Sequence, residues 1–87
     1  MEFEFDPAKT VANKQKHGID FEEAQALWND PNVLEAPARP MDEPRYLAIG
    51  MIGARYWSAI VTKRAEKIRV ISMRRARQSE IERYEGE

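Results

Sequence analysis

Eighty-seven residues without a cysteine make one small domain, spanning 1–87, whose thin core no disulfide can brace. No apolar run approaches the ~20 residues that cross a bilayer and no charged-then-apolar leader opens the chain, so the expectation is a soluble, cytoplasmic protein with no membrane partner. The net charge of −1 hides a division, because residues 1–43 hold four Lys/Arg and ten Asp/Glu while residues 44–87 hold ten and five; the basic half favours a polyanion, and the acidic half suits contacts within the fold or a basic protein.

Met1–Asp6 alternates Phe3 and Phe5 with Glu2 and Glu4, the period of a half-buried strand. Asp6-Pro7 reads as N-cap and N1 of a helix that Gly18 stops at C′, with Lys9, Asn13 and Lys16 sharing a face and His17 beside it. Asp20 and Glu23 form the capping box of a second helix, whose apolar stripe is Phe21, Ala24, Leu27 and Trp28 and which ends at Asp30-Pro31. Pro31, Pro37, Pro40 and Pro44 then leave room only for a short edge strand at Val33–Ala36 and a loop. Tyr46–Ile52, Tyr56–Lys63 and Ile68–Met73 read as strands, joined by Gly53-Ala54-Arg55 and by Arg64–Lys67 at hairpin spacing. A last helix starts near Gln78-Ser79 and turns Ile81 and Tyr84 inward. The fold class is α+β in the order β-α-α-β-β-β-β-α: a single antiparallel sheet with two N-terminal helices and one C-terminal helix packed on it.

The chemistry concentrates in 63–77, where seven cations (Lys63, Arg64, Lys67, Arg69, Arg74, Arg75, Arg77) stand against Glu66 alone. With no cysteine, a single histidine and no acidic cluster at ligand spacing, neither a metal site nor a cofactor is expected. The glycines at 18, 50, 53 and 86 form no phosphate-binding turn, and no serine sits in a nucleophile elbow. What remains is a set of basic residues at the end of a buried strand. If such a site cuts a phosphodiester with no metal to activate water, the nucleophile at hand is the substrate's own 2′-hydroxyl, which favours RNA over DNA.

Such a cleft needs a base, cations for the phosphorane oxygens and an acid for the leaving group. Arg74, Arg77 and Lys16 are candidate cations, and His17, Glu80 and Tyr84 are candidate proton carriers. Each has a structural alternative: His17 as a helix C-terminal residue favoured by the dipole, Glu80 as a first-turn carboxylate, Tyr84 as a core-edge aromatic with a wet hydroxyl. Arg69 lies five residues before Arg74 and so on the opposite face of a regular strand; the two share a cleft only if the strand ends or bulges between them. Arg74 and Arg75 cannot both be buried without a paired charge. The same basic edge also fits a non-catalytic module that holds nucleic acid or an acidic partner without cutting it.

Phe5-Asp6-Pro7-Ala8-Lys9, Asn13, Lys16-His17-Gly18-Ile19-Asp20-Phe21-Glu22-Glu23-Ala24, Arg45-Tyr46-Leu47-Ala48-Ile49-Gly50 and Ile68-Arg69-Val70-Ile71-Ser72-Met73-Arg74-Arg75-Ala76, with Glu80 and Tyr84, resemble the BrnT family of toxins over nearly the whole chain. Phe5 stands where Trp is frequent, Met73 where Ala is frequent, and Pro44 interrupts the usual charged lead into Arg45. The resemblance implies a RelE-like fold and a metal-independent ribonuclease toxin of a type II toxin–antitoxin module. It also implies inhibition by a BrnA-type antitoxin with a ribbon-helix-helix domain, contact with operator DNA through that antitoxin, and two toxin copies per assembly. On this reading the catalytic positions are Lys16, His17, Arg69, Arg74, Glu80 and Tyr84, and Arg45 joins Lys63, Lys67, Arg75 and Arg77 in holding RNA.

Overall fold

The computed structural model describes residues 2–38 and 43–86; the part of the expected proline-rich loop over 39–42 lies outside them. Strand β1 (Glu2–Glu4) leads into helix α1 (Pro7–His17) and a 3₁₀ helix (Glu23–Asn29), followed by β2 (Leu34–Pro37), β3 (Tyr46–Ile52), β4 (Arg55–Arg64), β5 (Lys67–Arg75) and helix α2 (Gln78–Gly86). The five strands form one sheet in the order β1-β5-β4-β3-β2.

Local chemistry sets the first helix as its sequence predicts. Asp6 Oδ1 accepts the Ala8 N–H at 2.8 Å, Pro7 fills the first turn, and Gly18 closes the helix at φ 81°, its N–H donating to the Lys14 carbonyl. The capping box forms as well, with the Glu23 N–H donating to Asp20 Oδ1 at 2.7 Å and the Asp20 N–H to Glu23 Oε1 at 3.0 Å. What it starts, however, is a 3₁₀ helix and not the α-helix that the stripe implied. Ala24 and Leu27 are three residues apart and fully buried, and a period of three puts them on one line of a 3₁₀ helix; Phe21, equally buried, lies in the turn just before it.

The sheet is mixed and not purely antiparallel. β2 through β5 pair antiparallel, but β1 runs parallel to β5, with Glu2, Phe3 and Glu4 opposite Lys67, Ile68 and Arg69. Alternation of Phe and Glu reports a half-buried strand and says nothing of its partner's direction; the parallel pairing is possible because the whole chain between β1 and β5 serves as the long crossover it needs. β2 is the other edge and ends on Pro37, which has no N–H to offer a neighbour.

The helices do not share one face. α1 and the 3₁₀ helix cover the main core, where Phe21, Ala24 and Leu27 meet Ala48, Trp57, Ala59, Val61, Val70 and Met73. Gly50 permits the close approach, since a Cβ there would lie 3.0 Å from Leu27 Cδ1 and 3.1 Å from Asp30 Oδ2. Helix α2 lies over the opposite face, where Ser58 points away from that core, and its most buried residue is Glu80 and not the inward-turned Ile81 or Tyr84.

Candidate active site

The basic run does not stay together in space. Its ends lie at opposite ends of β5, a nine-residue strand about 30 Å long. At the hairpin end the cations meet acids from the N-terminal half: Lys63 pairs with Glu35 at 2.6 Å, Arg64 with Glu43 at 2.8 Å and Arg69 with Glu4 at 3.4 Å. Lys63 Nζ also lies 4.8 Å from the centre of the Tyr46 ring. Lys67 is exposed in the same hairpin and Arg45 is half-buried beyond the start of β3. The acidic half of the sequence therefore pairs three of the five cations at this end of the fold.

The other end is different. Arg75 is exposed with its guanidinium 5.6 Å from the centre of the Trp57 ring, Arg77 is exposed, and neither pairs with a carboxylate among the described residues. On the opposite face of β5 from Arg75 lies the most buried ion pair among the described residues, in which Arg74 Nη1 and Nη2 donate to Glu80 Oε1 and Oε2, each at 2.8 Å. Of the pair Arg74 and Arg75, it is thus Arg75 that emerges into solvent and Arg74 that is matched by a counter-charge.

Glu80 collects two more donors on Oε1, the Ser58 hydroxyl and the Arg77 N–H, both at 2.8 Å. The Arg77 carbonyl in turn accepts the first N–H groups of α2, from Glu80 and Ile81. The Arg74 fork, outweighing the effect of burial and helped by Arg77 and Ser58, holds the Glu80 carboxyl far below the usual carboxylate range, at about 2. Arg74 spends a third N–H on the Arg75 carbonyl, and its remaining N–H groups have no partner among the described residues.

Tyr84 stands beside this pair on α2. Its hydroxyl donates to Asp30 Oδ2 at 2.7 Å, and that bond, together with burial, pushes the phenol up to about 12. Asp30 is pushed up by burial but brought below its ordinary value by the donors Tyr84, Asn32 and Met51. The Tyr56 ring meets Tyr84 edge-on at 5.8 Å and hydrogen-bonds Glu85 through its hydroxyl. Together with Pro31, Asn32, Val33 and Leu34, Tyr84 and Glu85 line an open groove of about 620 Å³.

A β-bulge answers the question posed by Arg69. Ile60 opposes Ser72 and Val61 opposes Val70, so Ile71 is the extra residue on β5. Arg69 then pairs with Thr62 and Arg74 with Ser58, four residues apart on one face of β4. The two arginines face the same way, separated by roughly 13 Å along the strand.

Lys16 and His17 arrive from the other side of β5. Asn13 is buried on α1 and its Nδ2 donates to the Ile19 carbonyl at 2.8 Å and the Met73 carbonyl at 2.9 Å, while its Oδ1 accepts the Met73 N–H. The amide thus serves as strand partner where β1 has already ended, and pins the end of α1 one residue before Arg74. Lys16 is exposed and His17 half-buried there, and among the described residues no hydrogen bond joins either to Arg74, Glu80 or Tyr84.

Among the described residues no three His, Asp or Glu side chains converge as metal ligands, and no helix is long and apolar enough to cross a membrane. Sequence reasoning did not single out Ser58, and it gave Asn13 only as a residue of the α1 face and of the family resemblance and Asp30 only as a helix end. The available signal was their type: a polar residue inside an apolar strand or at a helix end requires a buried partner. Comparison with protein families matches residues 5–80 to the family described as the ribonuclease toxin BrnT of type II toxin–antitoxin systems. No curated protein matches the chain.

Proposed function

Because the chain belongs to the BrnT family of ribonuclease toxins, whose type II systems pair a toxin with a cognate antitoxin, we propose that it is an endoribonuclease that cuts RNA through the substrate's 2′-hydroxyl without a metal ion, at the Arg74 end of β5. The observation that carries this is the uneven neutralisation of the basic run. Carboxylates answer Lys63, Arg64 and Arg69, whereas Arg75 and Arg77 meet none among the described residues and Arg74 keeps unused donors beside them. A phosphate approaching this end meets two guanidinium groups that have no carboxylate partner among the described residues, and the planar fork of Arg74, which suits its oxygens.

In the proposed reaction the 2′-oxygen attacks phosphorus, the bond to the 5′-oxygen breaks, and the products are a 2′,3′-cyclic phosphate and a 5′-hydroxyl. Arg74, with Arg77 and Lys16, stabilises charge on the phosphorane. His17, Glu80 and Tyr84 are the groups through which one proton leaves the 2′-hydroxyl and another reaches the 5′-oxygen. Tyr84 keeps its proton at neutral pH, as an acid must; Glu80, at about 2, is a poor base while its donors remain in place. Arg69 on the same face takes a flanking phosphate, and Arg75, Arg45, Lys63 and Lys67 extend the contact with RNA. The inferred inhibitor is a BrnA-type antitoxin that covers the Arg74 end with acidic and apolar groups; dimerising through a ribbon-helix-helix domain, it would bring two copies of this chain to operator DNA.

The test is digestion of RNA in EDTA with analysis of the new ends. Cyclic phosphate and 5′-hydroxyl ends support the reading. Intact RNA, or cleavage that starts only when a divalent cation is added, contradicts it.

A further inference from the structure

Four donors surround the Glu80 carboxylate, and they come from three elements. β4 supplies the Ser58 hydroxyl, β5 the two ends of the Arg74 fork, and the entry to α2 the Arg77 N–H, all at 2.8 Å. Ser58 is 1 % exposed and the Glu80 side chain 10 %, while the Arg74 side chain, 24 % exposed, is where the cluster reaches the surface. A guanidinium fork, a hydroxyl and a backbone N–H at a helix start are the donor set with which proteins hold phosphate. The fork makes an ion pair and the Arg77 bond is the N3 half of a capping box, but neither calls for the buried Ser58 hydroxyl; with it, three donors converge on one carboxylate oxygen and make a cradle for an oxyanion.

We propose that this cradle is a binding site for a phosphate group, occupied in the resting protein by the Glu80 carboxylate and vacated when a phosphate displaces it. The exchange needs only the Glu80 side chain to swing out, because Ser58 and Arg74 stay on the sheet and Arg77 at the mouth of α2. A phosphate brings more oxygens and more charge than a carboxylate, so it can also engage the N–H groups of Arg74 left without partners. That the phosphate belongs to RNA rests on the ribonuclease reading. On that reading the displaced carboxylate loses the donors that keep it a weak base and becomes able to take the proton of the 2′-hydroxyl as the 2′-oxygen bonds phosphorus and the 5′-oxygen departs. Substrate binding would then switch on the base.

The experiment titrates inorganic phosphate into wild type, Glu80→Ala and the charge-matched control Glu82→Ala, read by NMR. Glu80→Ala should bind phosphate about tenfold tighter than wild type, as expected when a charge-assisted competitor is removed, and Glu82→Ala should not. Equal affinity in Glu80→Ala and wild type, or an equal gain in both variants, overturns the proposal. Since Glu80→Ala strips Arg74 of its partner, a second measurement uses the wild-type chain saturated with a non-cleavable 2′-deoxy-substituted oligonucleotide. The Glu80 carboxyl signal should then shift and titrate well above 2; a signal that does not move overturns the proposal. Wild type that cleaves RNA while Glu80→Ala gains no phosphate affinity sinks the cradle alone, and the reverse pair of results sinks the ribonuclease reading alone.

Discussion

Glu80 shows how far a residue's neighbours can alter the role its type implies. Its sequence position reads equally as a first-turn carboxylate or a proton carrier, and the fold makes it a carboxylate with four hydrogen-bond donors. A carboxyl depressed from its ordinary 4.5 to about 2 contributes stability that is fully present above pH 4.5 and is lost as pH falls through about 2; the gap corresponds to about 3 kcal/mol. Urea unfolding followed from pH 6 to pH 2 should therefore show a loss of that order, and Glu80→Gln should be less stable at pH 6 and lose less on acidification. An identical slope in the variant would mean that other carboxylates govern the acid limb. Asn13 and Asp30 were illegible as structural residues because their partners, the backbone of Met73 and of Met51, lie 60 and 21 positions away. No local pattern encodes such a bond.

Elements whose boundaries depend on nearest neighbours were legible. The Asp6 cap and the Gly18 stop define α1, the Asp20–Glu23 box forms, and β3 runs from Tyr46 to Ile52 as its hydrophobic run implies. The features that sequence did not give are relations between elements: the parallel partner of β1, the bulge at Ile71, the face chosen by α2 and the 3₁₀ winding after Asp20. Ala65 adds a cost of the same origin, holding φ 53° in the β4–β5 turn where the β3–β4 turn uses Gly53 at 62°. The contact between the 3₁₀ helix and β3 gives a direct check on this packing. Gly50→Ala should push Leu27 and Asp30 outward and cost about 1–2 kcal/mol in denaturant unfolding. It should also weaken the Asp30–Tyr84 bond, seen as a fall in the tyrosine titration midpoint from about 12; a variant as stable as wild type would show that the interface has slack.

In the molecule as a whole, carboxylates of the acidic half pair with Lys63, Arg64 and Arg69 at the hairpin end of the sheet, while Arg75 and Arg77 at the other end meet no carboxylate among the described residues. The fold uses Glu4, Glu35 and Glu43 to pair three of the cations of the hairpin end; on the proposed reading, the Arg74 end is the part that meets a polyanion. Nothing in the linear charge run distinguished Arg64 from Arg75; the distinction belongs to the tertiary pairing, which gives Arg64 a carboxylate and Arg75 none among the described residues. The most direct test compares kcat/KM for RNA cleavage in Arg74→Lys and Arg64→Ala, with melting temperature measured for both. Arg74→Lys keeps the charge but loses the planar fork, and cleavage should fall by about a hundredfold or more, while Arg64→Ala, which breaks a surface pair with Glu43, should change it less than about threefold. Cleavage that survives in Arg74→Lys and collapses in Arg64→Ala would place the site at the hairpin end and contradict the account.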